Sequence, residues 1–216
     1  MDRFCKLTLV FICIWPLLSS LSQAFAQEYP VFEGFLGASA LSSDWGKERH
    51  IMPGLQLDLS LNARRALRLT AEFAAHYRRT DIQSDLSNEN VRLAEYQFLG
   101  GPELVFRGPR KATPFLHMLF GIAARHYYTP SGDPQSPRNV LAVDFGFASA
   151  LGGGVDIAVS RRWALRVGQF DYLLTHLAHD QPQFSPIEDQ LPAIGAWQHN
   201  FRFSAGVVVR LGAQNR

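Results

Sequence analysis

Apolar and polar residues alternate one by one along much of this chain. In the last such segment, 199–211, Phe201, Phe203, Ala205, Val207, Val209 and Leu211 share one face, and Arg202, Ser204, Gly206 and Arg210 share the other. Period two is the mark of a β-strand with unlike faces. Earlier segments near 31–40, 51–61, 67–78, 91–106, 114–127, 143–159 and 163–175 also read as strands. In the second, Leu55, Leu57, Leu59 and Leu61 alternate with Gln56, Asp58 and Ser60. In the third, Leu67, Leu69, Ala71, Phe73, Ala75 and Tyr77 oppose Arg68, Thr70, Glu72, His76 and Arg78. Alanine and glutamate also suit a helix, but the alternation decides for a strand. A soluble barrel buries its apolar face. Here charged and small residues hold one consistent face, the inverted logic of a barrel dissolved in lipid.

Two segments predict irregularities. Gly100-Gly101-Pro102 interrupts the fourth and predicts a kink or bulge. In the seventh, Leu165 and Val167 face out and Arg166 in, after which Phe170, Tyr172 and Leu174 become the apolar set and Gln169 and Asp171 the polar one. A bulge near Gly168 accounts for that slip. In the sixth, Phe145, Phe147, Leu151, Val155 and Ile157 face out. Asp144, Gly146, Ala148, Ala150, Gly152, Gly154, Asp156 and Ala158 face in, and such small residues leave room for large side chains from neighbouring strands. Connections alternate in length. Residues 62–66, 107–113 and 160–162 are short and basic, whereas 41–50, 79–90, 128–142 and 176–198 are longer and polar. This predicts an all-β, eight-stranded antiparallel transmembrane β-barrel with short periplasmic turns and long extracellular loops. Trp45, Tyr77, Tyr127, Tyr128, Trp163 and Trp197 fall near strand ends, where aromatic girdles meet the lipid interfaces.

The first residues add a location. Arg3 and Lys6 precede a short apolar run, Leu7 to Leu18, and Ala24-Phe25-Ala26 offers a small-x-small cleavage site. Residues 1–26 read as a cleaved signal peptide and 27–216 as one barrel domain. The run is shorter than the roughly 20 residues of a spanning helix. Both cysteines, Cys5 and Cys13, lie in the signal, so the remainder offers neither a disulfide nor a cysteine metal site. A net charge of +2, one unit of which leaves with Asp2, Arg3 and Lys6, gives no support to a nucleic-acid partner.

Alternation places Glu33, Asp58, Glu72, His76, Arg78, Glu95, Glu103, His117, Arg125, Asp156, Arg166, Asp171, Arg202 and Arg210 inward, with acids and bases nearly balanced. About eight strands leave an interior that side chains can fill. Buried charges must pair there. The candidate site is therefore a lumen ion-pair network of Glu72, Arg78, Glu95, Glu103, Arg125, Asp156, Arg166, Asp171, Arg202 and Arg210 that plugs the barrel. A passive channel for small solutes is the competing reading. No metal or cofactor site is predicted. His76, His117, His126, His176, His179 and His199 form no His-Glu-x-x-His signature. His199 and Ser204 lie on opposite faces of a regular strand, so no catalytic residue is assigned and a lipid-modifying enzyme ranks third. Gly152-Gly153-Gly154 lacks the Lys-Ser/Thr of a phosphate loop.

The export signal with Ala24-Phe25-Ala26, the Gly152-Gly153-Gly154-Val155-Asp156 run, Arg166 through Thr175 and the closing Asn200 through Val207 resemble the small outer-membrane β-barrels of the OmpA/OmpX type. The resemblance spans residues 27–216. It implies an outer-membrane location in a Gram-negative-type envelope, contact with outer-membrane lipid and lipopolysaccharide, insertion by the barrel-assembly machinery, and an extracellular ligand met through the long loops. Such barrels commonly end on an aromatic residue, whereas this chain continues past Leu211 through Gly212 to Arg216.

Overall fold

The computed structural model describes residues 30–44, 49–84, 87–108, 111–129, 139–180 and 197–212. The signal segment 1–26, its cleavage site and Trp45 lie outside the described residues, as do the side chains of Tyr127 and Tyr128. The strands are β1 (Phe32–Asp44), β2 (Arg49–Arg64), β3 (Leu67–Ser84), β4 (Ser87–Val105), β5 (Ala112–Thr129), β6 (Asn139–Ala158), β7 (Trp163–Asp180) and β8 (Trp197–Leu211). Each pairs antiparallel with the next, and β8 closes on β1 from Phe32↔Leu211 to Ser42↔Phe201. Closure leaves no sheet edge, so the ladder satisfies its own backbone groups, as a strand in hydrocarbon requires.

The faces follow the alternation. Along β2, Gln56, Asp58, Ser60 and Asn62 are buried, while Leu55 and Leu59 are 62% and 63% exposed. Large apolar side chains of every strand cover the outside. Leu-rich surface on that scale is stable only against another apolar phase.

The β7 irregularity lies where the slip predicts it. Val155 pairs with Gly168 but Asp156 with Arg166, and on the other side Arg166 pairs with Gly206 but Gln169 with Ser204. Val167 is the extra residue. The bulge lets Arg166, Gln169 and Asp171 all face the lumen. No bulge forms at Gly100-Gly101-Pro102. β3 and β4 keep one register from Leu67↔Leu104 to Ser84↔Ser87. The bulge half of the expectation fails because glycine serves close packing there: a Cβ on Gly101 would lie 2.3 Å from the Met118 carbonyl oxygen of β5, and the β4–β5 ladder, in one register, skips Gly101 and Pro102.

The strands also run past the segments that read as strands. The 79–90 loop is a continued hairpin whose connection is residues 85–86, and β7 continues to Asp180. The segments between strand ends on this side are 45–48, 85–86, 130–138 and 181–196. An antiparallel ladder needs no apolar face once it leaves the lipid, so polar sequence there hides strand.

Candidate functional site

The lumen is built from the inward residues of all the strands. At its turn-side end Arg68, the second residue of β3, bridges Glu33 of β1 (2.8 Å) and Glu103 of β4, with Asp156 of β6 at 3.9 Å. Thr70 also donates to Glu103 (3.0 Å). Glu33 accepts from Asn62 (2.9 Å) and from Arg107 (3.0 Å) at the turn-side mouth. Arg166 lies next to this group. It donates to Asp156 (2.8 Å), Asp58 (2.7 Å) and Gln169 (2.7 Å). Its guanidinium lies 4.2 Å from the ring centroid of Phe35 and 4.4 Å from that of Phe115, a geometry that favours the cation.

Arg202 of β8 crosses the middle. It pairs with Glu72 (2.6 Å) and Asp171 (2.6 Å) and donates to Gln97 (3.1 Å). Asp171 also accepts from Gln169 (2.8 Å) and lies 2.9 Å from His117 Nε2. Gln56 donates to both Asp58 and Glu72, each at 2.9 Å. Toward the loop side Arg125 pairs with Glu95 (2.8 Å) and donates to Ser43 (3.1 Å) and Gln198 (3.0 Å). Arg125 and Arg202 are both 0% exposed. Charges so far from water require such partners.

Small residues on β6 make the room. A Cβ on Gly152 would lie 2.1 Å from the Asp171 carboxylate, and one on Gly154 2.8 Å from the Phe115 ring.

Of the proposed network residues, Glu72, Glu95, Glu103, Arg125, Asp156, Arg166, Asp171 and Arg202 are buried in the lumen. Arg210 is looser, 3.8 Å from Glu33 at the turn-side mouth. Arg78 differs: it donates to the Ile51 carbonyl (2.9 Å) near the loop-side end rather than to a carboxylate, because its strand is already leaving the packed interior. The candidate network omits Arg68, Glu33 and Asp58, although the polar faces of β3, β1 and β2 mark them. The balance of charge differs too. Among the described residues, Glu33, Asp58, Glu72, Glu95, Glu103, Asp144, Asp156 and Asp171 are buried against Arg68, Arg125, Arg166 and Arg202. Arg107 and Arg210 add cations only at the mouth.

The interior also holds apolar side chains that the alternation left unplaced. Leu41, Met52, Leu93, Leu99, Leu119, Leu173 and Leu177 cluster from the middle to the loop side, and Phe35, Ala164 and Val208 form a second cluster by the turns. Together with the charged residues they occupy the lumen with packed side chains.

The histidines take separate places. His76 is buried and bonds Ser39 (3.0 Å). His126 packs edge-on to Tyr96, His176 lies against Trp197, and His199 bonds Tyr172 on the outside. His179 lies outside the described side chains. Among the described residues, no three His, Cys, Asp or Glu side chains group as a metal site. His199 is exposed and Ser204 is buried in the lumen, so the two do not meet. Of the girdle residues, Tyr77 and Trp197 are exposed toward the loop side and Trp163 at the turn side.

Solved structures with this architecture are small outer-membrane barrels. Neisserial surface protein A matches with a TM-score of 0.52 at 12% identity, covering 83% of this chain and 97% of its own. The Yersinia pestis attachment invasion locus protein Ail, in complex with the heparin analogue sucrose octasulfate, matches at 0.50 and 11%, covering 82% and 97%. The Pseudomonas aeruginosa outer membrane protein OprG matches at 0.50 and 11%, covering 87% and 98%. No protein-family model and no curated protein sequence matches the chain. The chain is thus similar in fold to the small eight-stranded outer-membrane barrels, at an identity that carries the fold alone.

Proposed function

We propose that this chain, which has the fold of the small outer-membrane barrels, is an exported outer-membrane protein whose barrel is a closed scaffold for surface loops. The observation that carries this reading is the pairing of an apolar exterior with a charged interior whose arginines span the lumen from wall to wall. Arg202 on β8 reaches Glu72 on β3, and Arg166 on β7 reaches Asp58 on β2. Those crossings seal the path that a channel needs open. The rigid wall then serves to hold connections 45–48, 130–138 and 181–196 at the cell surface. The partners of this reading are outer-membrane lipid and lipopolysaccharide, the barrel-assembly machinery during insertion, and a surface ligand for the longest connection.

Planar-bilayer recording of the purified protein tests it. A sealed scaffold gives no steady single-channel steps. Reproducible unitary conductance would transfer the reading to a passive pore. Lipid A acylation unchanged on expression separates the scaffold from a lipid-modifying enzyme.

A further inference from the structure

The outer wall carries a trench near its turn-side end. Val209, Gly34, Leu59, Ala71 and Gly100 form one row of directly paired residues around the barrel. The next row toward the turns is Leu211, Phe32, Leu61, Leu69 and Pro102. Gly34 and Ala71 are too small to fill the space between their larger neighbours. A groove of about 560 Å³ opens there, lined mainly by Phe32, Leu59, Leu61, Leu69, Val209 and Leu211. That volume is within the roughly 300–1,000 Å³ of small-ligand sites.

A second observation says what fills it. The three short turns contain Arg64 and Arg65, then Arg107, Arg110 and Lys111, then Arg161 and Arg162, and no acidic residue. Arg64 and Arg65 are exposed, in the turn that joins Leu61 to Leu69, both of which line the groove. An apolar trench beside a turn with two exposed arginines matches a molecule with a hydrocarbon tail and an anionic phosphate head.

We propose that this groove binds one anionic glycerophospholipid of the turn-side leaflet, its acyl chain in the trench and its phosphate paired by Arg64 and Arg65. The inference rests on the barrel being embedded in lipid. A phosphate takes bidentate hydrogen bonds from arginine, so the headgroup is held as well as attracted. The proposed site is the groove with its own turn, and not the basic ring as a whole.

The test folds the protein into vesicles of equal phosphatidylethanolamine and phosphatidylglycerol, extracts it gently, and counts retained lipids by native mass spectrometry. Wild type keeps phosphatidylglycerol in preference. Gly34→Leu fills the trench, and position 34 has room for the added Cβ, whose nearest neighbour, Leu59 Cδ2, would lie at 3.9 Å. Ala71→Leu is a second filling variant. Arg64→Gln with Arg65→Gln lowers the preference roughly thirtyfold, the scale of two cations lost near an anionic surface, and either filling variant lowers it as well. Arg110→Gln with Lys111→Gln removes equal charge from the turn between β4 and β5, where the Lys111 carbonyl accepts from Ala158 of β6, and leaves the preference in place. Equal loss in that control, no preference in wild type, or a protein dimer that Gly34→Leu dissociates would each overturn the site. Failure of wild type to fold into vesicles would instead remove the lipid-embedded reading beneath it.

Discussion

Arg202→Met removes the cation at the centre of the lumen. The guanidinium pairs with Glu72 and Asp171 and donates to Gln97, and all three partners are at most 1% exposed. The methionine keeps much of the volume, so packing loss is small and the charge effect dominates. After substitution Asp171 retains Gln169 and its contact with His117, whereas Glu72 retains only the Gln56 donor among the bonds described here. One carboxylate is thus stranded and the other is partly compensated. The expected loss is that of one broken buried pair, about 3–5 kcal/mol, and not twice that. Adding Glu72→Gln to Arg202→Met should recover more than half of it, since the stranded charge is gone. Arg210→Gln, whose partner is 3.8 Å away at the mouth, should cost at most about 1 kcal/mol. Urea unfolding in lipid vesicles, followed by tryptophan fluorescence, reads all of these. A loss below about 1 kcal/mol for Arg202→Met, or no recovery in the double variant, would refute the claim that ion pairs hold the lumen together.

Leu57→Arg, at the middle of β2 on the outer face, should cost about 2–4 kcal/mol in the same assay, whereas Ile51→Arg near the loop-side end should cost about 0–1; equal costs would remove the lipid belt. Deleting Val167 takes out the bulge residue but leaves Arg166 and Gln169 facing in, so the barrel should still fold and shift on an unboiled gel. Deleting Ala148 from the regular part of β6 flips one side of the strand and should abolish that shift. Removing residues 182–195 should leave the barrel folded while ending any surface binding, with fractionation and ligand-overlay binding as the checks. A deletion beginning at 178 is a harsher test, because Ala178 to Asp180 pair with β6.

Much of this fold is legible in the chain because lipid makes period-two alternation consistent from strand to strand. β2 shows it without exception from Leu55 to Ser60, and the slip in alternation puts the bulge near Gly168, next to the extra residue Val167. What the chain conceals has physical causes. Leu173 lies inside between Tyr172 and Leu174, and three apolar residues in succession carry no periodic signal. Phe35 is buried with its ring against the Arg166 guanidinium, a contact supplied by a strand far along the chain. Strand ends beyond the lipid are polar on both faces, so residues 79–84 and 87–90 resemble a loop although they pair. The alternation puts the buried charges on one face, but it does not say which of them pair. Which carboxylate meets which arginine depends on register around the closed wall, and Arg166 reaches Asp58 from far along the chain.

Cell fractionation followed by an unboiled gel tests the central claim most directly. A closed barrel in the outer membrane, locked by its lumen, fractionates with that membrane and migrates differently before and after boiling. Recovery from the soluble periplasmic fraction, or one mobility in both conditions, would contradict the account.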